Sequence, residues 1–174
     1  MKVTLIHAPG EAERMLFKRC IWVTMGRTDV PATLPSPGLV RRVLRARHSP
    51  CRVLNFAFLI EGIPGNISVH LCRHVHAVPF VQSLRNDRQT AIDGDSAPRN
   101  TPVNMILYVN AEELMVIANK RLCQKASAMT QRVVAEMCAR AEEAMPELEG
   151  LLVPMCEYQG GVCHEITPCG RCGK

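Results

Sequence analysis

Aromatic side chains are scarce in this chain, with one Trp, two Tyr and four Phe among 174 residues. A surface that stacks nucleic-acid bases in series needs more rings than that. Long apolar runs are missing as well. The longest, Val53 to Ile63, is interrupted by Asn55 and Glu61 and falls well short of the ~20 residues needed to cross a bilayer. Neither a spanning helix nor a membrane partner is expected. The opening Met1-Lys2-Val3-Thr4-Leu5-Ile6-His7 lacks the apolar segment and small-residue cleavage site of a secretory leader, so the expected location is the cytoplasm. Gly and Pro are held to 11 and 12, and hydrophobic residues reach 47% against 21% charged, which excludes collagenous and disordered classes.

Cysteine and arginine are plentiful. Nine cysteines, an odd number with no leader, read as reduced thiols. Cys20, Cys51, Cys72, Cys123 and Cys138 lie among apolar neighbours and read as small core residues, whereas Cys156, Cys163, Cys169 and Cys172 crowd the C-terminal end. The net charge is +5, and Arg41, Arg42, Arg45, Arg47 and Arg52 form a basic run that suits an anionic partner. At about 150 residues per domain the length predicts one domain over residues 1–174, with a Cys-rich tail at 152–174.

Periodicity and breakers predict a strand at Val3 to Ile6, a helix at Glu11 to Val23, a Pro- and Gly-rich loop from Met25 to Gly38, and an arginine-faced helix at Leu39 to Arg47. A buried strand at Leu54 to Ile60 and a helix at Ile67 to His76 follow, then an extended segment after Pro79 and a polar loop at Asn86 to Asn100. The last elements are a strand at Val103 to Val109, a helix to about Gln124 and a helix at Thr130 to Ala144 that Pro146 ends. Asn110, three residues before Glu113, has the spacing of a capping box, with the carboxylate bonding back to the cap amide. The fold class expected is α+β, a small and mostly antiparallel sheet flanked by helices.

The segment from Cys72 to Arg85 places Arg73, His74, His76, Gln82, Ser83 and Arg85 within a short span, a donor set for phosphates and heterocycle carbonyls. Arg73-His74-Val75 followed after seven residues by Ser83 resembles the R-H-R-x7-S signature of the flavin-dependent thymidylate synthases, and Gln82-Ser83-Leu84-Arg85 resembles the Q-S-x-R that closes it. His48-Ser49-Pro50 with Phe56 to Ile63 is similar to the family's G-H-x-S-P-x-x-H and F-x-F-x-I-E-G-I run. Val109 to Leu114 with Lys120 to Cys123 is similar to its M-N-A-R-E-L and L-R-L-C helix, and Pro154 to Arg171 to a cysteine-bearing tail.

The resemblance implies a thymidylate synthase-complementing type of fold, a homotetramer with sites between subunits, and methylation of dUMP to dTMP. FAD would be the cofactor, and methylenetetrahydrofolate and NADPH the co-substrates. It implies that Arg73, His74, His48 and Asn110 contact flavin. Gln82, Ser83 and Arg85 would hold the nucleotide, with Arg73 able to reach it across a subunit boundary. Arg121 would reach the pyrimidine, so that Arg121 and Ser83 are the catalytic candidates. No cysteine nucleophile is needed. The unrelated cysteine-dependent thymidylate synthases require one in a P-C-H setting, which Pro50-Cys51-Arg52 lacks.

This chain departs from the pattern at Val75, where an arginine stands in the family, and at Arg52 and Val53 in place of an acid and a histidine. Glu112 stands for the arginine of N-A-R, Val116 for an Asn or His, and Gly94 for an arginine. The stretch between Arg85 and Pro98 is also shorter. His76, Arg52, Arg88 and Arg99 are the donors at hand to replace those lost. Two alternatives stand beside the leading reading. One is a related pyrimidine-nucleotide flavoenzyme, for instance a hydroxymethylase. The other is a basic nucleic-acid module with zinc on Cys156, Cys163, Cys169 and Cys172, although these include only one Cys-x-x-Cys pair. A flexible thiol-bearing tail is the plainer expectation for those cysteines.

Overall fold

The structure is a computed structural model and describes residues 1–172. Four antiparallel strands form its sheet: β1 (Lys2–His7), β2 (Asn55–Pro64), β3 (Val78–Val81) and β4 (Pro102–Asn110), in the spatial order β1-β2-β4-β3. β4 shows why one face packs inward. Val103, Met105, Leu107 and Val109 are buried, while Pro102, Asn104 and Tyr108 between them are exposed, the period-two alternation of a sheet with one wet side. Central β2 buries Phe56, Ala57, Phe58, Ile60 and Ile63. Its register slips between Ile60 and Ile63, at Gly62, whose φ of +65° suits glycine and whose N–H donates to Asn104 Oδ1 at 3.0 Å.

The described residues form six helices, of which α3, α4 and α5 pack on the sheet: α1 (Glu11–Thr24), α2 (Pro37–Arg45), α3 (Gly65–Cys72), α4 (Ala111–Arg121), α5 (Ala128–Ala144) and the single turn α6 (Met155–Tyr158). Phe17 of α1, Leu44 of α2, Leu71 of α3 and Leu114 of α4 meet the strands in one apolar core that also takes Val133, Met137 and Leu148. The expected α+β class and its antiparallel sheet are therefore what the chain forms. Buried Lys18 anchors the loop after α1 by donating to Pro31 O, Thr33 O and Thr33 Oγ1 at 3.0, 2.6 and 3.0 Å.

Several boundaries move for identifiable reasons. α2 starts two residues early because Ser36 caps it, accepting from Leu39 N, and Pro37 pre-sets the first turn. α3 stops at Cys72 rather than His76, and His74 and Ala77 close turns through Leu71 O and His74 O. α5 starts at Ala128, capped by Ser127. Cys72 is exposed, and Cys20 and Cys123 are half-buried. Of the five cysteines expected in the core, only Cys51 and Cys138 are fully enclosed. Burial pushes both of their thiols up to about 12, so Cys51 is no nucleophile. Among the described residues no helix is long and apolar enough to cross a membrane.

Candidate functional site

α3 and α4 run their ends together, and three polar side chains form a chain there. Arg121, in the last turn of α4, donates Nε–H to His74 Nε2 at 3.0 Å and an NH2 hydrogen to His70 O at 2.9 Å. His74 Nδ1 meets Glu113 Oε1 at 3.0 Å. A guanidinium only donates, so His74 Nε2 carries a lone pair and its proton sits on Nδ1, directed at the carboxylate. His74 and Glu113 are buried. Burial holds the imidazole below its ordinary value and the Arg121 charge works in the same direction, against the pull of Glu113. With Nε2 accepting from Arg121, the ring in this arrangement is the neutral tautomer. Burial, with Arg73 beside it, also lowers Arg121 from its ordinary value.

Two cavities flank this chain. One, of about 410 Å³, is lined by Arg121 with Lys120, Lys125, Cys123 and tail residues including Cys163 and His164. The other, of about 260 Å³, is lined by Glu113 with Asn110, Arg47, Arg52, His76 and Glu112. Arg47 adopts a positive φ of 52°, stacks on Tyr158 at 4.2 Å and donates to Asn119 Oδ1, yet its Nε is buried without a partner. Arg52 Nε donates to Glu112 Oε2 at 2.5 Å. The two departures from the family pattern at 52 and 112 thus face each other, with acid and base exchanged.

Asn110 does cap α4, accepting from Glu113 N at 2.9 Å, but the reciprocal half of the expected box is absent because the Glu113 carboxylate is committed to His74. That commitment was hidden in the sequence. Its only trace is a carboxylate set beside Leu114, Met115 and Ile117, all fully buried on α4. Gln82, Ser83 and Arg85 are not gathered with Arg121, since they line neither cavity. Gln82 extends β3 by exchanging bonds with Asn104, its N–H to Asn104 O and its Oε1 from Asn104 N. Ser83 Oγ accepts from Arg85 N at 3.3 Å, and exposed Arg85 makes a two-pronged pair with Asp87 at 2.9 and 2.8 Å. His48 is exposed ahead of the 3-10 turn Ser49–Val53 and also lines neither cavity.

The tail is laid against the body rather than free. Lys125 Nζ donates to Thr167 O at 2.8 Å, Arg171 pairs with Glu157, and Tyr158 OH donates to Arg45 O at 2.7 Å. Among the described residues no three His, Cys, Asp or Glu side chains are arranged to hold a metal ion, so Cys156, Cys163, Cys169 and Cys172 are not brought together as a zinc set. The Cys172 thiol is pushed up to about 11, chiefly by its hydrogen bond with Cys156. Nor is the arginine run a free row. Arg41 donates to Glu147 O and Glu149 O at 3.3 and 2.9 Å, so it is tied down rather than solvated.

No family model matches the chain, and neither does any curated protein. Solved structures do. The chain is similar to Thymidylate Synthase X (ThyX) from Helicobacter pylori with FAD and dUMP, with a TM-score of 0.69 and 17% identity over 87% of this chain and 99% of that one. A second structure of flavin-dependent thymidylate synthase ThyX from Helicobacter pylori, complexed with FAD and dUMP, gives 0.65 and 16% over 83% and 100%. The UMP/dUMP methylase PolB from Streptomyces cacaoi, bound with 5-Br dUMP, gives 0.66 and 15% over 86% and 93%. At these identities what is shared is the fold, and it is the fold that the motif resemblance implied.

Proposed function

We propose that the chain is a flavin-dependent enzyme that modifies dUMP, with thymidylate synthesis as the leading reaction. The observation that carries this reading is Arg121, held at the rim of the larger cavity by buried His74 and Glu113 on the fold shared with proteins bound to FAD and dUMP. A guanidinium aimed at a pyrimidine carbonyl stabilises the negative charge that forms there as C5 becomes nucleophilic. Lys120 and Lys125 line the same cavity and supply positive charge to an anionic ligand.

The smaller cavity is the candidate for the phosphates of FAD. Arg47 and Arg52 stand in its lining opposite Glu112 and Glu113, and because Arg52 is paired with Glu112 the donor at hand is the buried, unpartnered Arg47 Nε. When bound, FAD would supply the hydride, with NADPH restoring it and methylenetetrahydrofolate providing the carbon. Of the flavin contacts implied by the resemblance, the Asn110 side-chain carbonyl is spent on its cap and His74 on its two partners, which leaves Arg73 and His48, with Arg52 committed to Glu112 and His76 the replacement donor. Gln82, Ser83 and Arg85 lie outside both cavities, which supports a homotetramer whose nucleotide site draws them from another subunit.

Calorimetric titration with dUMP tests the reading. Arg85→Ala is expected to weaken binding about ten- to a hundred-fold, the loss of one charge-assisted bond of roughly 1.5–3 kcal/mol, whereas Arg41→Ala leaves dUMP affinity as it is. Equal and negligible effects would count against the nucleotide site, and failure to take up flavin at micromolar concentration would discard the flavoenzyme. The likeness to a UMP/dUMP methylase favours a second reading, action on a related pyrimidine nucleotide. Mass spectrometry of the nucleotide after turnover identifies both the base and the group transferred.

A further inference from the structure

We propose that Glu113 is a positioning residue for the nucleotide site. By accepting the Nδ1 proton of His74 it fixes the imidazole with its Nε2 lone pair toward Arg121, and so aims the rest of that guanidinium into the 410 Å³ cavity. The inference rests on the function proposed above and adds a residue that the motif resemblance leaves without a role.

Two observations carry it. First, Glu113 declines the task its position offers. It stands at the third residue of α4, where a glutamate ordinarily bonds back to the cap amide, as Glu13 does in α1 by accepting from Gly10 N at 2.7 Å. In α4 the carboxylate crosses to α3's end instead and meets His74. Second, the pair is buried, with side chains 7% and 6% exposed. A buried carboxylate and imidazole are costly to keep unless their hydrogen bonds hold something in place. Here they hold Arg121. His74 gives its lone pair to Nε–H and His70 O takes one NH2 hydrogen, which leaves the remaining N–H groups of the fork for the cavity. Were the proton of His74 on Nε2, it would oppose Arg121 Nε–H and the grip would be lost. The charged groups facing the imidazole are Glu113 and Arg121 from α4, with Arg73 beside Arg121.

The test pairs a spectroscopic readout with binding. Nitrogen-15 shifts of the His74 imidazole in the parent are expected to report the Nδ1–H tautomer, and Glu113→Ala is expected to convert it to the Nε2–H form or a mixture. The same variant should bind dUMP about ten- to a hundred-fold more weakly, and Glu113→Ala combined with Arg121→Ala should lose little more than Arg121→Ala alone, because both act through one guanidinium. Glu113→Gln keeps the volume and can still accept from Nδ1–H. It is expected to retain the tautomer and most of the affinity, and it serves if Glu113→Ala does not fold. An Nε2–H tautomer in the parent overturns the proposal. So does unchanged dUMP affinity in a folded Glu113→Ala, or additive losses in the double variant. If the parent does not bind dUMP, the proposed function falls on that result alone, while the tautomer and its response to Glu113→Ala still decide whether Glu113 positions His74.

Discussion

At residue 94 the family pattern places an arginine, and this chain cannot. A Cβ built on Gly94 would lie 2.0 Å from Leu84 O, because the short loop closes on itself through Gly94 N to Asn86 Oδ1, Asn86 Nδ2 to Asp93 Oδ1 and Gln89 Nε2 to Leu84 O and Ile92 O. A side chain at 94 does not fit the loop as this chain closes it. Residues 52 and 112 tell the opposite story. Taken singly in the sequence they are two losses, and only the distance of 2.5 Å between their side chains makes them one exchange of partners. Reversing either end is expected to set like charges against each other. Arg52→Glu and Glu112→Arg should each lower the thermal midpoint slightly at low salt, and the double reversal should restore most of it. Because Arg52 is exposed the effect should fade as salt is raised. A double variant less stable than both singles would show that the pair is not an independent unit. Arg73 and His74 stood out as a donor cluster by residue type within a short span, whereas Arg121 was singled out by the motif resemblance alone. Glu113 and Arg47 were not legible, since their roles depend on partners 39 and 72 positions away.

Strands and the long helices could be read from alternation and caps, and Asn110 marks the start of α4 without ambiguity. What periodicity missed lies where tertiary bonds override it. His74 continues an apolar-looking helix in sequence, yet the turn after Cys72 is set by Glu113 and Arg121 drawing the imidazole inward. The 3-10 turn Pro146–Leu148 is a similar case, because it is pinned to α1 by Arg14, whose NH1 and NH2 meet Glu147 at 2.6 and 3.2 Å. Burial pushes the Glu147 carboxyl up, but the Arg14 bonds and a backbone N–H outweigh it and hold the group below its ordinary value. A carboxylate held low in the folded state contributes stability that is complete above its unfolded pKa near 4.5 and is lost as pH falls through the lower folded value. Glu147→Gln is therefore expected to cost roughly 1–2 kcal/mol at pH 7 by denaturant unfolding, with the gap to the parent closing below about pH 4.5. A gap that stays constant down to pH 3 would place the loss in packing rather than in the ion pair.

On the scale of the whole molecule, β3 is an edge strand that among the described residues pairs only with β4, and it carries Val78, Phe80 and Val81 exposed, with Val75 84% exposed just before it and Tyr108 beside it. Pro79 blunts this edge against further strand pairing, so the exposed apolar side chains beside it fit side-chain contact with another chain rather than an added strand. The same edge runs directly into Gln82, Ser83 and Arg85, the proposed nucleotide donors, which lie outside both cavities of their own chain. Assembly across this edge would bury the apolar strip and carry those donors toward Arg121 of a neighbour in one step, which joins the edge to the proposed homotetramer. Phe80→Lys puts a charge in the middle of the strip without touching the core, since Phe80 is 61% exposed. It is expected to shift the light-scattering mass from four chains toward one, to leave far-ultraviolet dichroism unchanged, and to weaken dUMP binding at least as much as Arg85→Ala. A parent that scatters as a monomer and still turns over nucleotide would remove the shared site, and the donors after β3 would then have to fold back onto their own chain.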